Sequence, residues 1–156
     1  MIKVNIPGKG SVVYTHIVLD FNGTISCDGV LIPGVEDRLN RLAENLEVHI
    51  LTADTFGLCR KSCQGIRGTI TILTSETGAP VKEKFIEELG ADKVIALGNG
   101  TNDALMLARS GLGIVVTGPE GTSAKALLAA DIVARDINVA LDLLLNTQRL
   151  VATLRA

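Results

Sequence analysis

The sequence predicts an α/β fold, a doubly wound, Rossmann-like parallel sheet of about six strands covered by helices. Three observations lead there. Short apolar runs rich in Val, Ile and Leu alternate with segments of helical periodicity from residue 16 onward. The composition is 47% hydrophobic but only 3% aromatic, so the core is aliphatic, as suits a sheet buried on both faces. Polar, glycine-containing loops follow the apolar runs, and right-handed crossovers gather such loops on one edge of the sheet. A chain of 156 residues can bury a full core as one domain. The expected division is an edge hairpin over 1–15, a core over 16–135, and a closing helix and tail over 136–156.

Each element has its own signal. Residues 2–6 and 11–15 alternate around Pro7-Gly8-Lys9-Gly10 and predict a β-hairpin at the sheet edge. His16 begins a strand, Ile17-Val18-Leu19, that delivers Asp20 to its C-terminal end; His16 itself reads as a surface or packing residue. Residues 25–32 form a short insertion around Asp28-Gly29, placed as a flap over the Asp20 loop. Pro33-Gly34 opens a helix with Val35, Leu39, Leu42 and Leu46 on one face. Residues 47–51 are the next strand, ending in Thr52-Ala53-Asp54-Thr55, with Thr55 as N-cap of a short helix.

Residues 69–73 are a β-branched strand. Ala79-Pro80 starts a helix with Phe85, Ile86 and Leu89 inward, closed by Gly90. Residues 94–97 form a strand that runs into Gly98-Asn99-Gly100-Thr101-Asn102-Asp103 and a helix. Residues 112–116 are a strand, Gly118-Pro119-Glu120-Gly121 a turn, and Thr122 the cap of an Ala-rich helix. Ile132-Val133 is a last short strand. Asp136 starts a helix carrying Val139, Leu143 and Leu144, and a tail follows.

Composition excludes several functions. The net charge of −2 is spread along the chain, without the basic footprint of a nucleic-acid binder or a polybasic membrane-surface run. No apolar run is long enough to insert in a membrane, and the first residues do not resemble a signal peptide, so a cytoplasmic location is expected. The three cysteines, Cys27, Cys59 and Cys63, are odd in number and fit a reducing compartment. Cys59 and Cys63 can share a helix face and read as buried thiols, because no further Cys or nearby His completes a metal set.

The polar residues at the strand ends carry the chemistry. Asp20 alone could be a nucleophile, a metal ligand, both, or a strand-ending Asp in an Asx-type turn. The topology brings it together with a hydroxyl (Thr52), an ammonium (Lys82), an amide (Asn99) and a second carboxylate (Asp103). Phosphoryl transfer needs such a set: a nucleophile, a divalent ion, and donors for the equatorial oxygens. Gly23, Gly98 and Gly100 allow close backbone approach. Lys82 is preferred to Lys84 because it shares a helix face with Ile86 and Leu89.

In this order the residues resemble the four motifs of the haloacid dehalogenase-like (HAD) superfamily. Asp20-x-Asn22-Gly23-Thr24 resembles the first, Thr52 the second, Lys82 the third and Gly98–Asp103 the fourth. Within the superfamily the pattern is most similar to the phosphorylation domains of P-type ATPases and to the small soluble P-type ATPase-like proteins. The likeness runs over roughly residues 16–135, through Ala104-Leu105-Met106-Leu107 and Ala129-Ala130-Asp131-Ile132-Val133.

The resemblance implies a Mg²⁺-dependent phosphohydrolase in which Asp20 forms an aspartyl phosphate. It implies Mg²⁺ held by Asp20, the main-chain carbonyl of Asn22 and the side chain of Asn99, with Asp103 in the metal site as the group that orients the shell. Thr52 and Lys82 would bind phosphoryl oxygens, with Gly23, Thr24 and Ala53 completing the phosphate site. Asp54 would support the metal shell or merely end the strand.

Two positions depart from the pattern. Asn22 stands where HAD phosphatases have the Asp that moves the proton, and losing such catalysis costs about 10²–10⁴-fold. Substrates with good leaving groups, such as acyl phosphates, escape that loss. Asn99 replaces a Mg²⁺-ligating Asp and predicts weak metal affinity. Both asparagines precede glycine, a context that favours deamidation, which would partly restore the carboxylates. The departures also keep open a catalytically impaired protein that binds phosphoryl ligands or a regulatory partner; a dehalogenase is a weaker third reading. Residues 25–32 and about 56–79 leave no room for a cap domain. An open site of this kind suits a macromolecular substrate, or a phosphorylated small molecule enclosed by a second subunit, so a homo-oligomer is expected.

Overall fold

A computed structural model describes residues 1–53, 57–73 and 78–156. The chain opens with an antiparallel hairpin, β1 (Ile2–Ile6) and β2 (Gly10–Tyr14), and passes through Thr15 into β3 (His16–Asp20). A flap of β4 (Ser26–Cys27) paired with β5 (Val30–Leu31) follows. Strand and helix then alternate: α1 (Val35–Leu42), β6 (Glu47–Thr52), α2 (Leu58–Ser62), β7 (Thr69–Ile72), α3 (Gly78–Glu88) and β8 (Val94–Gly98). They continue through α4 (Ala104–Arg109), β9 (Leu112–Val116), α5 (Ala124–Ala129) and β10 (Ile132–Ala134), and α6 (Ile137–Leu145) and α7 (Thr147–Leu154) end the chain.

The six-stranded sheet has the order β10-β9-β8-β3-β6-β7, and its neighbours pair in parallel. This is the doubly wound α/β fold that the sequence predicts. β3 lies in the middle, with Leu19 opposite both Ile50 and Leu97. Its alternating side chains feed two cores. Ile17 and Leu19 pack with Ile50, Ile95, Val35, Leu39 and Leu141 on one face; Val18 packs with Leu51, Ile86, Met106 and Val115 on the other. Burying each such aliphatic side chain contributes about 1.5–3 kcal/mol. Among the described residues, no helix is long and apolar enough to cross a membrane.

Three expectations are corrected. The hairpin is not on the sheet edge; β1 and β2 form a separate two-stranded ribbon. The reason is topological, because the ribbon feeds the central strand. Thr15 donates its N–H to the Lys93 carbonyl and accepts from Glu47 N, both at 2.9 Å, so it is locked between β8 and β6 before an edge could be reached. The tail is a helix, α7, whose Leu150, Val151 and Leu154 recur at helical spacing and join the core that holds Ile2, Val4 and Ile6. The cap of α5 is Ser123, not Thr122: Ser123 Oγ accepts from Ala126 N at 3.0 Å, while Thr122 Oγ1 donates to the Val116 carbonyl at 2.8 Å. The proposed cap Thr55 lies outside the described residues. Asp136 caps α6 as expected, accepting from Val139 N at 2.8 Å.

Ser123→Ala removes the acceptor for the first turn of α5, and a loss of about 1 kcal/mol in denaturant unfolding is expected. An unchanged midpoint would place the cap elsewhere.

Candidate functional site

Three adjacent strands deliver the predicted residues to one edge. Asp20 ends β3, Thr52 ends β6, and Asn99 follows Gly98 at the end of β8. Asp20 and Thr52 are both buried, and Leu73 N donates to the Thr52 carbonyl at 2.7 Å, which fixes the end of β6. The second turn of α3 sends Lys82 into this edge. Lys82 is 1% exposed although it carries an ammonium, whereas Lys84 is exposed and pairs with Glu88 at 3.7 Å. The helix face shared with Ile86 therefore decides between the two lysines.

Lys82 Nζ donates to Asp20 Oδ1 at 2.5 Å and to Asp103 Oδ1 at 2.7 Å. The second oxygen of Asp103 accepts from Asn99 N at 3.0 Å and Gly100 N at 2.9 Å. Both oxygens of this fully buried carboxylate are thus engaged, which suits a group that positions the loop rather than one that ligates an ion. The Asp103 side chain fits there only because residue 98 is glycine: a Cβ at 98 would stand 2.5 Å from Asp103 Cβ.

Thr24 Oγ1 lies 3.3 Å from Asp20 Oδ2 and 3.1 Å from Asn99 Oδ1, so its single proton can serve one of them at a time. The Asn99 amide is oriented by its Nδ2, which donates to the Gly121 carbonyl at 3.0 Å, leaving Oδ1 to accept from Thr24. Gly23 has φ 76°, and a Cβ there would meet Asn99 Nδ2 at 2.5 Å. Both the positive φ and the lack of space require glycine at that position.

Burial, and then the charge of Asp103, push the Asp20 carboxyl up to about 7 from its ordinary 3.8, against the pull of Lys82. Burial also opposes the charge on Lys82, but the two carboxylates outweigh it and hold the ammonium above its ordinary value. The three groups therefore carry one charge too few to neutralise themselves, and Asp20 is where the deficit appears.

The remaining predicted residues lie around this centre. Asn22 and Ala53 are exposed at the mouth, and Asp54 lies outside the described residues. The nitrogens that must attack for deamidation are both bonded, Gly23 N to the Ser26 carbonyl at 3.0 Å and Gly100 N to Asp103, which opposes that ring closure. Sequence reasoning missed Glu120. It accepts from Asp28 N at 2.7 Å, tying the flap to the Gly118–Gly121 turn beside Gly23. A turn glutamate carries no sequence signal for such a contact.

No family model matches the chain. Over 78 residues it is 54% identical to "Uncharacterized protein MJ0073" of Methanocaldococcus jannaschii, covering 47% of this chain and 84% of that one. Its fold is similar, with a TM-score of 0.67, to 3-deoxy-D-manno-octulosonate 8-phosphate phosphatase from Moraxella catarrhalis, a structure in complex with a magnesium ion, a phosphate ion and KDO. That likeness has 17% identity and covers 91% of this chain and 94% of that one. It is also similar to the catalytic domain of the CPx-ATPase CopB-B, with a TM-score of 0.60, 27% identity, and coverage of 74% of this chain and 46% of that one.

Two outcomes follow for the charge cluster. Lys82→Met leaves two buried carboxylates without their cation and is expected to cost about 3–5 kcal/mol in unfolding experiments. The raised Asp20 carboxyl binds its proton more tightly folded than unfolded. Its stabilisation is therefore complete below pH 3.8 and fades as pH rises through about 7. In chelator-containing buffer, the wild-type melting temperature should fall over that window relative to Asp20→Asn. Parallel curves would contradict the raised value.

Proposed function

We propose that the chain, whose fold is shared with phosphatase and ATPase catalytic domains and whose motifs resemble those of the haloacid dehalogenase-like superfamily, is a phosphohydrolase that works through an aspartyl phosphate on Asp20. The observation that carries this reading is the buried Lys82 ammonium bridging Asp20 and Asp103 at the C-terminal edge of the sheet. An Asp20 oxygen attacks phosphorus, the bond from phosphorus to the leaving oxygen breaks, and the electron pair departs with that oxygen. Water then attacks the same phosphorus, returning the Asp20 carboxylate and releasing phosphate. Lys82 stabilises charge that grows on the equatorial oxygens, with the Thr52 hydroxyl and the backbone N–H of residue 53 as further donors; the N–H groups of Gly23 and Thr24, expected in this role, instead bond the Ser26 and Phe21 carbonyls.

The donor set fits a hard divalent cation such as Mg²⁺. Asp20 Oδ2 and Asn99 Oδ1 both approach Thr24 Oγ1, and both are oxygens, as Mg²⁺ requires. Asp20, Asn99 and the main-chain carbonyl of Asn22 would hold the ion, with Asp103 keeping Asn99 and Gly100 in place. When bound, Mg²⁺ neutralises phosphate charge and polarises the phosphoryl group. One carboxylate and one amide make a weak site, which the substrate's own phosphate must complete.

Asn22 decides the substrate class. Its amide cannot give a proton to a leaving oxygen, so the reading is confined to good leaving groups, acyl phosphates and phosphoanhydrides among phosphorylated small molecules or macromolecules. The same residue, with Asn99, favours a second reading: a protein that binds phosphoryl ligands, or a partner, in a regulatory role.

Hydrolysis of acetyl phosphate, ATP and an aryl phosphate with Mg²⁺ tests the two. Turnover of acetyl phosphate is expected in wild type and not in Asp20→Asn, with an acid-stable, hydroxylamine-labile phosphoryl group on Asp20. Equal inertness of the two proteins would leave the binding reading. Asn22→Asp should raise turnover of the aryl phosphate by about 10²-fold or more. Asn99→Asp should lower the Mg²⁺ concentration needed for half-maximal rate.

A further inference from the structure

The two histidines of the chain meet at the opposite edge of the sheet from Asp20. Four residues of strand, roughly 13 Å, separate His16 from Asp20. His16 of β3 and Glu47 of β6 are register partners, and His49 lies two residues beyond Glu47, so all three side chains project on one face. His16 Nδ1 stands 3.3 Å from His49 Nε2, and Glu47 Oε2 is 3.6 Å from the former and 3.9 Å from the latter. The imidazoles are largely buried, with Phe85 of α3 packed edge-on against His49, its ring centroid 5.5 Å away. Glu47 is exposed.

These separations have a chemical meaning. Ligands held at 2.0–2.1 Å in a tetrahedral shell are about 3.3–3.4 Å from one another. The two nitrogens already have that spacing, and the exposed Glu47 carboxylate needs to move only a few tenths of an ångström to match it. The 3.3 Å gap also fits a single N–H···N hydrogen bond between the rings, with Glu47 as counter-ion when one ring is protonated; a divalent ion would engage all three groups at once. A surface cavity of about 440 Å³ reaches Glu47 and His49 and provides an entry path. Arg67 also lines it, but its guanidinium pairs with Glu44 and the Asn40 carbonyl.

We propose that His16, Glu47 and His49 form a transition-metal site, best fitted to Zn²⁺, with the fourth position open to that cavity. Two imidazoles and a carboxylate suit Zn²⁺ and disfavour Mg²⁺, so the site is chemically distinct from the oxygen donors around Asp20. A bound ion would clip β3 to β6 at the end remote from Asp20.

The test uses the full chain without a histidine tag, stripped of metal and held in excess Mg²⁺. Zn²⁺ is titrated by calorimetry and Co²⁺ by visible absorption. One Zn²⁺ per chain, an intense four-coordinate Co²⁺ spectrum and a raised melting temperature are expected. His16→Gln and His49→Gln should each weaken Zn²⁺ by more than the roughly 10–100-fold that loss of a mere supporting partner costs. Asp20→Asn should bind Zn²⁺ like wild type. Glu47→Gln leaves the fold intact, because the side chain is exposed, and should weaken Zn²⁺ and change the Co²⁺ spectrum. No one-to-one binding, binding that survives both histidine substitutions, binding lost in Asp20→Asn, or an unaltered Glu47→Gln would each overturn the site.

Discussion

A buried ammonium shared by two carboxylates holds the working edge of this molecule together. Lys82 reaches from α3 to Asp20 on β3 and to Asp103 after β8, so one side chain joins three segments distant in sequence. Removing such charges from water costs several kcal/mol per ion, and good geometry alone offsets it. Here the geometry is supplied from behind. Asp103 is clamped by two backbone N–H groups, and Gly98 clears the space its side chain occupies. The arrangement spends stability to keep a carboxylate poised beside a cation, a trade typical of sites built for chemistry.

Much of this was legible because it lives in local pattern. The apolar runs gave the strands of the sheet, their order in the chain gave the shared edge, and helix periodicity separated Lys82 from Lys84. What escaped depends on tertiary context. The hairpin alternates as an edge strand would, yet its attachment to the central strand through Thr15 denies it an edge. Thr122 and Ser123 are equally good caps by residue type, and only the turn before α5 decides which faces Ala126. The helix after Asn146 has a short apolar stripe that becomes meaningful once Ile2 and Val4 lie beside it.

The same limit hid the contacts of single polar residues. His16 and His49 are 33 residues apart, and no spacing rule joins them. Parallel pairing of β3 with β6, in the register that sets His16 against Glu47, does so. Glu120 is similar: a glutamate in a Gly-Pro turn is unremarkable until the flap backbone at Asp28 arrives next to it.

The two asparagines bear on the site in a connected way. With aspartate at 99, the oxygens around Thr24 would bring two carboxylates to a cation; with asparagine, Asp20 is the single charged donor, and Lys82 already holds its other oxygen. On the proposed reading a cation would share Asp20 with the ammonium, which Asp103 also holds, so the cation is the partner that would depend on further negative charge. A phosphoryl ligand brings that charge. On the proposed function, affinity for the cation and for the ligand would then rise together, since each would supply what the other lacks, and such coupling is reciprocal. On the same reading Asn22 would act at the next stage, because a ligand so bound could transfer its phosphoryl group only where the departing oxygen needs no proton. Weak resting metal affinity and narrow leaving-group tolerance would thus, on the proposed function, both follow from asparagine at 22 and 99 in a site whose lysine and backbone are in place.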